Sequence, residues 1–231
     1  MTQKLQNNKS LNLVLIVYVI FFFAVWAAYT LVLKPIICDA LGEETLISSL
    51  LRSGVIKNLV WTLPAAWFIV KYRSQCMVSL KEMFTQHARD WMRFLPVFLI
   101  FAVYILISAW RTHGGIGIVD SFGIDEIITV LFVGLTEELV FRGWLLNATY
   151  KASDPPKKQY LAIGLNALLF LCIHFPIWIS KGIFVSNFIS LGFLGILVLS
   201  VVFSMAFIRT KNIVIPIALH MFWDLLIFML I

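Results

Sequence analysis

Seven stretches of this chain are apolar for long enough to cross a lipid bilayer, and that length constrains every other reading. They lie near Leu11–Leu33, Gly54–Val70, Phe94–Trp110, Asp125–Thr149, Gln159–Ile179, Asn187–Ile208 and Ile213–Ile231. About 20 residues at roughly 1.5 Å each traverse the hydrocarbon of a membrane. A soluble helical core would need a polar face at helical spacing, which these runs lack. Of the 231 residues 61% are hydrophobic and 13% charged, against about half and about a quarter in soluble domains. The expected fold is all-α, a polytopic transmembrane helical bundle of about seven spans in a single domain, 1–231. Asp39 to Ser53 leaves room for an extra short interfacial helix.

Lys4 and Lys9 precede the first run, which is longer than a cleaved signal core and lacks a small-residue cleavage site, so it is expected to be a retained signal anchor. Orientation follows from Lys and Arg on alternate sides. Lys4 and Lys9, the bases from Lys71 to Arg93, those from Lys151 to Lys158, and Arg209 with Lys211 outnumber Lys34, Arg52, Lys57, Arg111 and Lys181. The N-terminus is therefore expected inside and the C-terminus outside. The net charge of +6 belongs to this bias and implies no nucleic acid partner. Cys38, Cys76 and Cys172 have neither a disulfide pattern nor metal-ligand spacing. Trp61, Trp67, Trp91, Trp110 and Trp178 lie near span ends, where an aromatic belt is expected. Ser79 to Met92 is expected to be an amphipathic cytoplasmic connector.

Inside the spans ionisable residues are few: Glu137, Glu138 and Arg142 in the fourth, His174 in the fifth, and His220 with Asp224 in the seventh. Each charge costs about 2.5–3.5 kcal/mol on insertion scales, so these groups are expected to face one another or a water-filled cavity. Glu138 and Arg142 stand four apart with the acid first, the favourable order for an ion pair. Glu137 is rotated about 100° from its neighbour and has no local partner. Phe170 and His174 share a face, as do His220 and Asp224, where the carboxylate can fix one imidazole nitrogen and leave the other for the site. Measured from the nearest cytoplasmic base, Glu137, His174 and His220 lie roughly 21, 24 and 14 Å deep at about 1.5 Å per residue. A common site is geometrically open to them.

Glu137-Glu138 with Arg142 fits EExxxR, Phe170 with His174 fits FxxxH, and His220 with Asp224 fits HxxxD, in that order on late helices. With FRGW after the glutamates and IPIALH before the last motif, residues 125–231 resemble the CAAX protease and bacteriocin-processing (CPBP, Abi) family of intramembrane endopeptidases, including type II CAAX prenyl endopeptidases. The resemblance implies that Glu137 and His174 activate water. It further implies that His220 and Asp224 build the oxyanion side, with Glu138, Arg142 and Phe170 in support. Asp224 stands where many members carry Asn, and an ionised Asp cannot donate to an oxyanion as Asn can.

Peptide hydrolysis needs an activated water, a stabilised oxyanion and a protonated leaving amine, and Glu137 is the candidate base. A metal-free mechanism without cofactor is favoured by the resemblance. The alternative is Zn²⁺ held by Glu137, His174 and His220 with one open position, although no HExxH helix is present. The expected partners are a peptide or membrane-protein substrate and the lipid bilayer, in a bacterial cytoplasmic membrane. The competing functions are a catalytically silent scaffold or bacteriocin self-immunity protein, and a small transporter. A silent homologue would be expected to lose a motif residue, and none is lost here.

Overall fold

The computed structural model describes residues 2–43 and 45–230, with side chains from Ser10 onward. The side chains of Lys4 and Lys9 and the terminal Ile231 of the last expected span lie outside the described residues. The chain is all-helical, with no strand among the described residues. The principal helices are α1 (Ser10–Leu41), α2 (Leu46–Lys71), α3 (Ala88–His113), α4 (124–149), α5 (Pro156–Ser180), α6 (Gly192–Thr210) and α7 (Val214–Leu230). Five of them, α1, α2, α3, α5 and α6, are long and apolar enough to cross a membrane. Helix α7 is apolar but shorter, with 17 residues. Helix α4 is long enough, and its acids and Arg142 are what set it apart from the other long helices.

Three expectations about segment boundaries are corrected. Among the described residues, no separate interfacial helix occupies 39–53. Helix α1 runs to Leu41 and stops at Gly42, whose φ of +81° an L side chain rarely adopts. Thr45 then caps α2 by accepting from Ser48 N at 3.3 Å, so the segment is divided between two long helices. The sixth span begins at Gly192 rather than Asn187, because a short helix (Phe184–Ile189) ends before Leu191 turns to φ +60°. The connector expected over 79–92 ends earlier, because α3 already begins at Ala88. Its Met83 is buried and its Met83 carbonyl accepts from Ile213 N at 2.7 Å, while Asn147 pins the preceding residues. Buried backbone groups need partners, and those partners hold this loop inside the fold.

The aromatic belt is also only partly present. Trp67, Trp91 and Trp110 are exposed, whereas Trp61 and Trp178 are buried. Trp61 packs edge-on against Trp26 and Tyr29 of α1, and proximity to a span end did not reveal this interior contact. Exposed Ile16, Ile20, Leu99 and Ile100 present apolar surface suited to lipid.

Helix α4 sits centrally, packed against α2, α5 and α7, while α6 covers α5 and α7 also rests on α3. A Cβ on Gly134 would fall 2.7 Å from Met221 Cγ, so glycine allows the close approach of α4 to α7. That approach brings the motif residues of α4 and α7 together.

Candidate active site

Glu137 and Glu138 are neighbours in sequence but differ in environment. Helix α4 stays α-helical to Glu138 and then widens into a π-helical stretch, Leu139–Leu146, in which every residue is buried. Such wide turns recur at functional sites. Glu138 is fully buried, and its Oε1 accepts from Arg142 Nη1 at 2.9 Å and faces His220 Nδ1 at 2.8 Å. Arg142 donates through Nη2 to the carbonyl and hydroxyl oxygens of Ser200 at 3.0 and 2.7 Å. Its guanidinium carbon lies 4.4 Å from the ring centre of Phe170. One carboxylate therefore ties α4 to α7, and one guanidinium ties it to α5 and α6. Charges this deep persist only when paired and hydrogen-bonded; the network does this through Oε1, Nη1 and Nη2, while Glu138 Oε2 and Arg142 Nε have no partner among the described residues.

His174 owes its position to the HFP sequence. Pro176 has no N–H and cannot continue the ladder of α5, which breaks between Cys172 and Phe175. His174 stands at that break, with Nδ1 2.9 Å from the Phe170 carbonyl. A carbonyl only accepts, so Nδ1 carries the hydrogen and Nε2 of the neutral ring keeps its lone pair. The next structural tie comes from α1: Trp26 Nε1 donates to the Ile173 carbonyl at 2.6 Å. Phe170 lies edge-on to both His174 and His220, with ring centres 5.4 and 5.7 Å away, and thus packs under the site.

A cavity of about 650 Å³ opens between the helices, and Glu137, His174, His220 and Asp224 all line it. Glu137 is half-buried on this wall, turned away from the Glu138 network. The structure thus brings together the four residues expected to carry the chemistry, with Glu138, Arg142 and Phe170 behind them. One expected detail differs. His220 Nε2 lies 3.4 Å from Asp224 Oδ2, but Nδ1 is taken by Glu138, so both ring nitrogens face carboxylates. Sequence spacing gave Glu138 only Arg142, because it sees contacts within a helix and not those across the bundle.

Among the described residues, no three His, Cys, Asp or Glu side chains are grouped to hold a metal ion. Glu137, His174 and His220 share the cavity without forming such a ligand set.

Several residues around the site had no place in the sequence reading. Ser200 and Ser204 are fully buried on α6, and Ser204 donates to Asn166 Oδ1 at 3.3 Å. Their signal was a pair of hydroxyls four apart in an otherwise apolar helix, easily passed over when only ionisable groups are counted. Lys34, Arg52 and Lys57, assigned to loops or span ends, also line the cavity.

Comparison with known proteins adds one match. Residues 121–226 match the family model described as type II CAAX prenyl endopeptidase Rce1-like, a segment that includes all three motifs. No curated protein and no solved structure matches the chain.

Proposed function

From the match of residues 121–226 to the type II CAAX prenyl endopeptidase Rce1-like family model, we propose that this integral membrane protein hydrolyses a peptide bond of a membrane-associated protein or peptide, using water activated by Glu137 and His174. The observation that carries the reading is the shared cavity: a carboxylate without an ion-pair partner among the described residues, an imidazole with a fixed tautomer, and a second His–Asp pair all open onto it.

Glu137 and His174 Nε2 are both acceptors, so they can take the two O–H groups of one water and leave its oxygen lone pair for the scissile carbonyl. Glu137 takes a proton as the water oxygen bonds to the carbonyl carbon. The carbonyl becomes an oxyanion, and His220 Nε2 is the group offered to it. That role needs hydrogen on both ring nitrogens of His220, and a carboxylate oxygen lies against each. Asp224 orients the ring. Glu137 then returns the proton to the amide nitrogen as the C–N bond breaks, releasing one new carboxyl and one new amine. The substrate is a peptide or membrane protein, and the setting is a bacterial cytoplasmic membrane.

The test is cleavage of a peptide library by the reconstituted protein beside Glu137→Ala, His174→Ala and His220→Ala. Each variant is expected to lose about 10²–10⁴-fold in rate. Equal behaviour of wild type and all three variants, with partner binding preserved, would give the site to a silent scaffold instead. Activity unchanged by chelator supports the metal-free route; loss on chelation with recovery on added Zn²⁺ overturns it.

A further inference from the structure

The matched segment supplies Glu137, His174, His220 and Asp224, but α1 and α2 build the opposite wall of the same cavity, and that wall is basic. Lys34, Arg52 and Lys57 all line it. They are three cations where the catalytic wall holds two carboxylates. Two of them are partly engaged. Arg52 donates to the Glu43 carbonyl at 2.6 Å and to the Ser48 carbonyl at 3.2 Å, and Lys34 Nζ lies 4.0 Å from exposed Glu43 Oε1.

Lys57 is different. Among the described residues it has no carboxylate within ion-pair distance, and its Nζ sits 5.2 Å from the ring centre of Trp26. The same indole donates to the carbonyl of Ile173, the residue before His174. One tryptophan thus touches both the ammonium and the turn that presents the proposed water-activating imidazole. A half-buried ammonium that faces an open cavity pays desolvation unless an anion completes it. Its place in α2 is fixed by close packing. A Cβ on Gly54 would meet Phe132 of α4 at 3.1 Å, and Thr62 shares a 3.2 Å hydrogen bond with Thr136.

We propose that Lys57, with Lys34 and Arg52 beyond it, forms an anion subsite that receives a carboxylate of the bound peptide and so sets which peptides reach the Glu137–His174 wall. This rests on the peptidase reading for its purpose, but not for its measurement. The carboxylate is either the free C-terminus or an acidic side chain, and the probes separate the two. Lys57 is a specificity residue here and takes no part in the chemistry.

The experiment is equilibrium binding to the full-length protein in lipid nanodiscs. The probes are three fluorescent alanine–leucine peptides: one with a free C-terminal carboxylate, its C-terminal amide, and the amide with one internal glutamate. Wild type is expected to bind at least one acidic peptide about tenfold more tightly than the plain amide, a single charge-assisted contact of about 1.4 kcal/mol. Lys57→Gln is expected to lose that preference and Lys57→Arg to keep it, which separates lost charge from lost folding. Preference for the free C-terminus alone identifies the terminal carboxylate; preference for the internal glutamate identifies a side chain. Equal binding of all three peptides to wild type, or an unchanged preference in Lys57→Gln, overturns the subsite. Because the readout is binding, a protein that shows the preference but cleaves nothing sinks the peptidase reading alone.

Discussion

Glu138 Oε1 lies 2.8 Å from His220 Nδ1 on one side and 2.9 Å from Arg142 Nη1 on the other, so the second glutamate of the pair, rather than the first, fastens the last helix to the site. Glu137 is left on the cavity wall. Adjacent residues of one type are thereby separated into a structural and a chemical role by a single step around the helix.

That division makes the first prediction. Glu138→Ala strands Arg142 in a buried position and should cost about 3–5 kcal/mol of stability. Glu137→Ala removes a half-buried side chain from an open cavity and should stay within about 1 kcal/mol while slowing cleavage about 10²–10⁴-fold. Unfolding by detergent titration, read beside activity, checks the pair. Equal destabilisation by the two substitutions would sink the assignment.

Ser200 supplies a second. Its hydroxyl accepts from Arg142 at 2.7 Å, and its carbonyl would keep the other contact in Ser200→Ala. The variant should lose one charge-assisted hydrogen bond, about 1.5–3 kcal/mol. Ser204→Ala, which breaks a longer neutral bond to Asn166, should lose about 0.5–1.5 kcal/mol. The reverse ranking would mean that Ser200 does not anchor the guanidinium.

The legibility of this molecule follows from the range of its interactions. Helix-local facts were readable: the Glu138–Arg142 pair at four-residue spacing formed as expected. Contacts between helices were not. Glu138 meets His220 across 82 positions of sequence, and Trp26 meets Ile173 across 147. No periodicity encodes those pairings. Lys57 shows a related limit: as a base near a span end it entered only the orientation count, and its place on the cavity wall depends on how α2 packs on α4. Trp61 shows the same limit, since a belt residue and a core residue have the same position in a hydropathy profile.

Asp224 carries a third prediction. Its 3.4 Å contact with His220 Nε2 is long for a hydrogen bond. Asp224→Asn keeps an acceptor oxygen and gains a donor, so cleavage should stay within about tenfold of wild type. Asp224→Ala frees the ring and should lose about 10²-fold or more. If Asn is as damaging as Ala, the charge of Asp224 matters more than its orienting role.

Asn147 gives a fourth. Its side chain accepts from Val78 N and donates to Val78 O, both at 2.9 Å, and its carbonyl accepts from Met77 N at the same distance. Asn147→Ala leaves two buried backbone groups unpaired, at about 1–3 kcal/mol each. The connector around Val78 should then become susceptible to limited proteolysis. A connector as resistant as in wild type would show that other contacts, such as Ile213 N to Met83 O, hold it without Asn147.

Cys76, between α2 and α3 and outside the spans, gives a prediction with a pH sign. Burial pushes its thiol from the usual 9.0 up to about 11. The thiolate is the reactive form, and at about pH 8 a shift of this size leaves it roughly a hundredfold scarcer than in an exposed thiol. Maleimide labelling of Cys76 should therefore be slow near neutrality and accelerate about tenfold per pH unit up to its raised pKa. A cysteine at Gly115, where a Cβ meets nothing within 4 Å, should label quickly and level off nearer pH 9. In sealed vesicles the expected orientation makes Cys76 reachable from the N-terminal face and Gly115→Cys from the other. Equal rates at about pH 8 would contradict the burial of Cys76, and labelling of both from one face would overturn the orientation.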